Sequence, residues 1–271
     1  MGRCIADWMP GLVRRTIRFV LPVHCSICGS SLTDDPTPHF CTDCWRTIVL
    51  MPPVRCSRCD RPFPSAIATA YSPYHMCQSC LMRPPSYTRA WTLYPYTSPL
   101  RDAICLFKYR GKVSLASALG ALMTQQLPFL DRVDVIIPVP LHAERLRQRE
   151  FNQSLLLADQ IGRALGISVS YTNLIRTTPS PPQTSLTKQN RFKNLRGAFA
   201  LRFPDEIMKK RVLLIDDVFT TGTTVNECAK SLRKAGSSDV LVLTLGRTLD
   251  HDLIPDRVPV PHRHPFEPFG V

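Results

Sequence analysis

The chain holds 271 residues, 44% hydrophobic and 20% charged, enough for a full core plus a small satellite domain. That composition excludes a disordered chain, and no apolar run approaches the ~18 residues of a membrane span. The formal net charge of +13 is uneven: +5 over 1–90, +9 over 91–203 and −1 over 204–271.

In residues 1–22, Arg14, Arg15 and Arg18 interrupt the apolar positions. This predicts an amphipathic helix rather than a signal-peptide core, and so a cytoplasmic protein. Residues 23–85 hold four Cys-x-x-Cys pairs and little helical periodicity; Pro84 and Pro85 close the region. A second domain is expected over 90–249. Its opening strand is read at 91–96, and a buried strand at 133–137 ends in Pro138-Val-Pro140. A helix follows over 152–166, with Leu157, Ile161, Ala164 and Leu165 on one face and Gly166 as its stop. A strand is expected at 167–171. Residues 176–202 are polar and start with several prolines, which predicts a long mobile loop ending in a short strand. The clearest unit is a strand at 211–215, a turn over 216–224, a helix over 224–235 and a returning strand at 240–245. Those lengths define a βαβ unit and hence a parallel α/β sheet with helices on both faces. Residues 250–271 contain five prolines and read as a disordered tail.

Eight of the 11 cysteines form the pairs Cys25/Cys28, Cys41/Cys44, Cys56/Cys59 and Cys77/Cys80. Two thiolates on one tight turn chelate a single metal, and two such turns complete a tetrahedral shell. Two zinc ions are expected, most simply in Cys25/Cys28/Cys41/Cys44 and Cys56/Cys59/Cys77/Cys80; spacing alone leaves a cross-braced pairing open. With sulfur in all four positions these would be closed, structural sites. His24, His39 and His75 read as surface histidines, and Cys228 as a core residue of its helix. Eight thiolates with two Zn²⁺ contribute −4, so the N-terminal region is nearly neutral and the positive excess lies in 91–203.

The most informative stretch is Val212-Leu-Leu-Ile-Asp-Asp-Val-Phe-Thr-Thr-Gly-Thr-Thr224. Four apolar residues form a strand that ends in two carboxylates, and a hydroxyl- and glycine-rich turn then opens a helix. Free backbone N–H groups at that helix start suit a phosphate, and Gly222 permits close approach. The acids stand where ligands bind in open α/β sheets and can accept from sugar hydroxyls or help hold a divalent cation.

At all 13 positions this stretch resembles the 5-phosphoribosyl-1-pyrophosphate (PRPP) motif of type I phosphoribosyltransferases. The resemblance implies that Asp216 and Asp217 hold the ribose hydroxyls, and that Thr220, Thr221, Gly222, Thr223 and Thr224 cradle the 5′-phosphate. Further segments are similar to the ComF family of competence and DNA-utilisation proteins. They are Phe107-Lys-Tyr-Arg-Gly111, Pro138-Val-Pro-Leu141, Arg145-Leu-Arg-Gln-Arg-Glu-Phe-Asn-Gln153, and Gln183-Thr with Arg191, Asn194 and Gly197-Ala-Phe199. The N-terminal cysteine pairs fit that family too. It usually has Gly where this chain has Glu150.

The resemblance implies a type I phosphoribosyltransferase-like fold and a Mg²⁺-PRPP ligand. Pro138-Val-Pro140 would form the pyrophosphate loop and 178–196 a flexible cover. Candidate cations for the pyrophosphate side are Lys108, Arg145, Arg147 and Arg149, with Arg110, Lys112, Lys188, Arg191, Lys193 and Arg196 in the same basic region. The implied function is PRPP binding or phosphoribosyl transfer linked to DNA uptake or to DNA as nutrient; the acceptor has no motif. A second reading is a single-stranded nucleic-acid-binding competence factor whose PRPP site is a sensor or relic. The partners implied are PRPP and single-stranded DNA or the DNA-uptake machinery, with oligomeric state left open.

Overall fold

A computed structural model describes residues 23–65, 67, 72, 74–128, 130, 132–177 and 197–249. The helix expected over 1–22, segment 178–196 of the expected loop and the tail expected over 250–271 lie outside the described residues. Described residues 23–48 belong to one compact unit and 49–249 to another.

The first unit is a ribbon. Strands β1 (Val23–His24) and β2 (Ser31–Leu32) pair antiparallel around a knuckle bearing Cys25 and Cys28. The knuckle closes through Gly29 N–H to Cys25 O at 3.0 Å and Cys25 N–H to Ser30 O at 2.8 Å. Cys41 then caps the short helix α1 (Thr42–Arg46), its sulfur accepting from Cys44 N–H.

The second unit opens with the same design. Asp60 N–H donates to Cys56 O at 3.0 Å, Cys56 N–H to Arg61 O at 2.8 Å, and Cys77 precedes helix α2 (Gln78–Met82). Gly29 and Asp60 occupy equivalent left-handed positions, at φ 75° and 64°. Asp60 is buried and accepts from Thr92 N–H at 2.6 Å, Thr92 Oγ1 at 3.0 Å and Arg55 Nη1 at 2.9 Å. Burial pushes its carboxyl above the ordinary range, against Arg55 and the Thr92 donors.

Thr92 lies on β3 (Arg89–Pro95), an outer strand of a four-stranded sheet in which every pairing is parallel. The other strands are β4 (Val135–Pro138), β7 (Arg211–Phe219) and β8 (Asp239–Arg247), in the order β3-β8-β7-β4. The second ribbon covers the free edge of β3. Ala90 N–H donates to Arg58 O, Met51 N–H to Leu93 O, and Thr92 N–H to the Asp60 carboxylate. An uncovered edge would invite pairing with another chain, so this satisfies a real liability.

Helix α7 (Thr223–Lys234) packs Val225, Cys228, Ala229 and Leu232 into a core with Val212 and Leu214 of β7. Side chains alternate along a strand, so Leu213 and Ile215 face the other side. Helix α6 (Gln153–Leu165) packs there on β4 and β7, and α4 (Leu115–Gln125) packs on α6 and β8. The described residues also include helices α3 (Leu100–Tyr109) and α5 (Ala143–Arg149) and a 3-10 turn at Pro204–Ile207, and β5 (Leu174–Arg176) and β6 (Phe199–Leu201) form a small antiparallel pair.

The α/β expectation holds, with two adjustments. The strand expected at 167–171 is reduced to one parallel bridge, Ile136 with Val169, at the β4 edge. Strand β7 runs four residues past 215, because its ladder with β8 continues in register through Asp216–Thr244 and Phe219–Arg247. Both acids therefore sit inside a strand, and the turn begins only at Thr220.

Asp60→Gly relieves a left-handed residue, worth about 1 kcal/mol, but removes the acceptor of three hydrogen bonds. Urea unfolding should show a net loss of about 2 kcal/mol. A gain would mean that backbone strain outweighs the anchoring.

Candidate functional site

Consecutive residues on a strand point to opposite faces, so the two acids meet different partners. Asp217 Oδ1 lies 2.8 Å from Lys108 Nζ, which comes from the last turn of α3. Asp216 Oδ1 accepts from Ser154 Oγ at 2.9 Å, at the start of α6. Asn152 sets that start: its Oδ1 caps Ser154 N–H at 3.1 Å, and its Nδ2 donates to Val139 O at 3.1 Å. Val139 N–H in turn donates to Ile215 O at 2.9 Å. The loop Pro138-Val-Pro140 is thereby held beside the acid pair.

Burial, and then the neighbouring Asp217 carboxylate, push Asp216 up to about 7, against the pull of Lys108 and Ser154. Burial disfavours the charge on Lys108, but Asp217 more than offsets this and holds Lys108 above the ordinary lysine range. One carboxylate is thus neutralised by a fixed cation, while the other readily takes a proton near neutrality.

Beyond Phe219 the chain turns through exposed Thr220 and Thr221 into α7. Gly222 has φ 77°, and a Cβ there would lie 2.5 Å from the Phe219 ring, so the position admits only glycine without rearrangement. Thr221 Oγ1 and Thr223 Oγ1 are 2.8 Å apart. The first backbone bond of the helix is Asn226 N–H to Gly222 O, so the N–H groups of Thr224 and Val225 precede the helical ladder. This is the local chemistry of an anion cradle.

Of the expected cations, the structure brings Lys108 to the acids. Arg145, Arg147 and Arg149 share α5, where Arg147 is exposed. Arg149 donates to Gln153 Oε1 at 3.2 Å and stacks 4.8 Å above the Tyr109 ring, next in sequence to Lys108. Glu150 ends α5 at φ 65°, a left-handed position that glycine adopts without strain. Lys188, Arg191, Lys193 and Arg196 lie outside the described residues. Sequence reasoning missed Ser154 and Asn152 as supports of the site. Their signal was an Asn-x-Ser opening of a periodic helix.

The cysteines gather in sequential order rather than cross-braced. The sulfurs of Cys25, Cys28, Cys41 and Cys44 all lie within 4.8 Å of one another, as do those of Cys56, Cys59, Cys77 and Cys80. Cys28–Cys41 and Cys59–Cys77 sulfurs stand 3.7 Å apart, close to the edge of about 3.8 Å implied by a tetrahedron of 2.3 Å Zn–S bonds. The donor set therefore fits structural zinc. Cys228 is fully buried in the core, as expected. Among the described residues no helix is long and apolar enough to cross a membrane.

The family model for the double zinc ribbon domain matches residues 16–81. DNA utilization protein YhgH of Salmonella typhi is 32% identical over 228 residues, covering 78% of this chain and 98% of its own. Competence protein F of Haemophilus influenzae is 32% identical over 215 residues, covering 77% and 90%. A solved structure of adenine phosphoribosyl transferase from Trypanosoma brucei matches at 14% identity and TM-score 0.36, over 68% of this chain and 93% of that one. Likeness this weak decides nothing about the chemistry. Two Cys₄ clusters and a parallel α/β sheet define a double-zinc-ribbon protein with an α/β domain. The chain belongs to the ComF family of competence and DNA-utilisation proteins.

Because Asp216 binds its proton more tightly folded than unfolded, the folded state holds more protons between about pH 4 and pH 7. The stability from this group is present below that window and is lost as pH rises through it. From pH 5 to pH 8 wild type should lose more unfolding free energy than Asp216→Asn, measured by urea titration. Equal losses would place the proton elsewhere.

Proposed function

We propose that this chain binds PRPP with Mg²⁺ at the end of β7, in the service of DNA utilisation, and that each cysteine tetrad holds a structural zinc. The observation that carries the reading is the acid pair on one strand end, with Lys108 between α3 and Asp217, running directly into the Thr220–Thr221–Gly222–Thr223–Thr224 turn. Asp216 and Asp217 accept from the ribose 2′- and 3′-hydroxyls. The threonine hydroxyls and the first N–H groups of α7 take the 5′-phosphate. Lys108 is the cation available to the pyrophosphate side, with Arg145, Arg147 and Arg149 as the further candidates. Transfer of the ribosyl group to an acceptor, with release of pyrophosphate, is the reaction class such a ligand offers. The names of the relatives from Salmonella and Haemophilus, DNA utilization protein and competence protein, supply the biological setting.

Calorimetry with PRPP and Mg²⁺ should show binding to wild type and a loss on the order of 30-fold or more in Asp216→Asn/Asp217→Asn, since each carboxylate accepts a charge-assisted bond. Equal affinity would remove the acids from the site. Wild-type affinity should also rise from pH 6 to pH 8, as Asp216 ionises.

Metal analysis of protein purified without chelator should return two zinc ions per chain, because each tetrad supplies a complete sulfur shell. Less than one would overturn the zinc assignment.

A further inference from the structure

The second cysteine tetrad and the two residues that flank the anion turn share one buried core. Cys56, Cys59, Cys77 and Cys80 pack in it with Tyr87, Phe219 and Val225. Arg247 ends β8 within this region and is only 7% exposed. Its Nη1 donates to the carbonyl of Cys59 at 2.8 Å, and its guanidinium carbon stands 4.5 Å above the Phe219 ring. Phe219 is its register partner on β7, and Tyr87 meets the same ring edge-on at 6.4 Å. The tip of the Phe219 ring meets the turn, since a Cβ on Gly222 would fall 2.5 Å from Phe219 Cζ. A continuous series of contacts therefore runs from a tetrad residue's own backbone to the floor of the turn.

A buried cation keeps its partners, because leaving them unmade costs far more than moving with them. A zinc ion held by the tetrad would fix the shape of the Cys56–Cys59 knuckle, and metal affinity at such sites is folding free energy. If the knuckle relaxes, the Cys59 carbonyl leaves Arg247, the guanidinium must move, and Phe219 loses the group that stacks on it. Gly222 then loses its support.

We propose that Arg247 is a positioning residue through which zinc in the Cys56/Cys59/Cys77/Cys80 tetrad and a phosphate-bearing ligand at residues 220–224 favour each other's binding. This rests on reading the turn as a phosphate site. Coupling of this kind is reciprocal in affinity: ligand tightens zinc by the factor that zinc tightens ligand, and here that tightening falls in the rate of zinc loss.

The test uses the full chain loaded with both zinc ions. Zinc release to a chromogenic chelator is followed with and without saturating ribose 5-phosphate, whose binding is measured separately by calorimetry. One of the two zinc ions should leave roughly fivefold or more slowly with the sugar phosphate, the other at an unchanged rate. Arg247→Met should abolish the slowing and weaken ribose 5-phosphate by a similar factor, while Arg247→Lys, which keeps a cation and a donor, restores part of both. Should Arg247→Met fail to hold two zinc ions, Phe219→Leu keeps Arg247 and must itself reduce the slowing. If ribose 5-phosphate binds wild type yet both zinc ions leave at unchanged rates, the coupling is refuted and the phosphate site stands. Wild-type slowing in folded Arg247 and Phe219 variants would equally refute it. If ribose 5-phosphate does not bind wild type at all, the phosphate reading falls, and the coupling falls with it.

Discussion

The parallel ladder between β7 and β8 is the constraint on which the rest of this structure depends. It keeps one register from Arg211–Asp239 past Ile215–Leu243 to Phe219–Arg247. Because the ladder does not stop at the last apolar residue, Asp216 and Asp217 inherit the alternation of a strand rather than the freedom of a turn. That alternation sends one carboxylate to Lys108 and the other to Ser154, which is how two adjacent acids acquire different electrostatic environments. It also delivers Phe219 to the interior, and the ring then leaves no room for a side chain on Gly222. Acid pair, turn and helix start are consequences of one register.

The two ribbons show how similar local sequences acquire different work. Both close a Cys-x-x-Cys knuckle with a left-handed residue after the second cysteine, and in the first that residue is glycine, the unstrained choice. The second carries Asp60 there. Its carboxylate, bonded to Thr92 and Arg55, binds the knuckle to the outer strand of the sheet. A residue unfavourable for the local backbone is retained where a long-range interaction repays it, an example of local propensity yielding to tertiary context.

Much of this could be read from the chain. The cysteine spacing announced its metal shells, the 3.6-residue period of α6 and α7 was clean, and the strand–turn–helix of β7 and α7 stood out as one pattern. What escaped reading was non-local. The cross-braced alternative fell only when the sulfurs were seen gathered in sequential order. Residues 23–85 read as one region, yet the described residues divide after Ile48, and the second ribbon shares a core with Val212, Leu214 and Phe219. No periodicity encodes such a contact. Helices α3 and α4 went unread as well; the notable residue of α3, Lys108, was grouped with the arginines by charge, although its partner lies 109 positions away.

The Lys108–Asp217 pair carries the strongest physical argument about the site. Two largely buried charges, 15% and 10% exposed as side chains, are costly to remove from water, and such pairs rarely outperform a well-packed apolar contact in stability. The pair therefore makes better sense as a site device than as a brace. Lys108 Nζ stands 2.8 Å from the Asp217 carboxylate and so fixes its position on the strand. A ligand that brings both hydroxyl donors and its own anionic groups can replace each half of the pair, giving donors to Asp217 and acceptors to Lys108, so neither buried charge is orphaned. A ligand offering only one of these leaves the other charge unpaired and is penalised. On the proposed reading, a sugar that carries a pyrophosphate beside its hydroxyls would satisfy both conditions, and a bare anion or a neutral sugar would not. Discrimination, on the same reading, would come from the cost of half-replacing a buried ion pair.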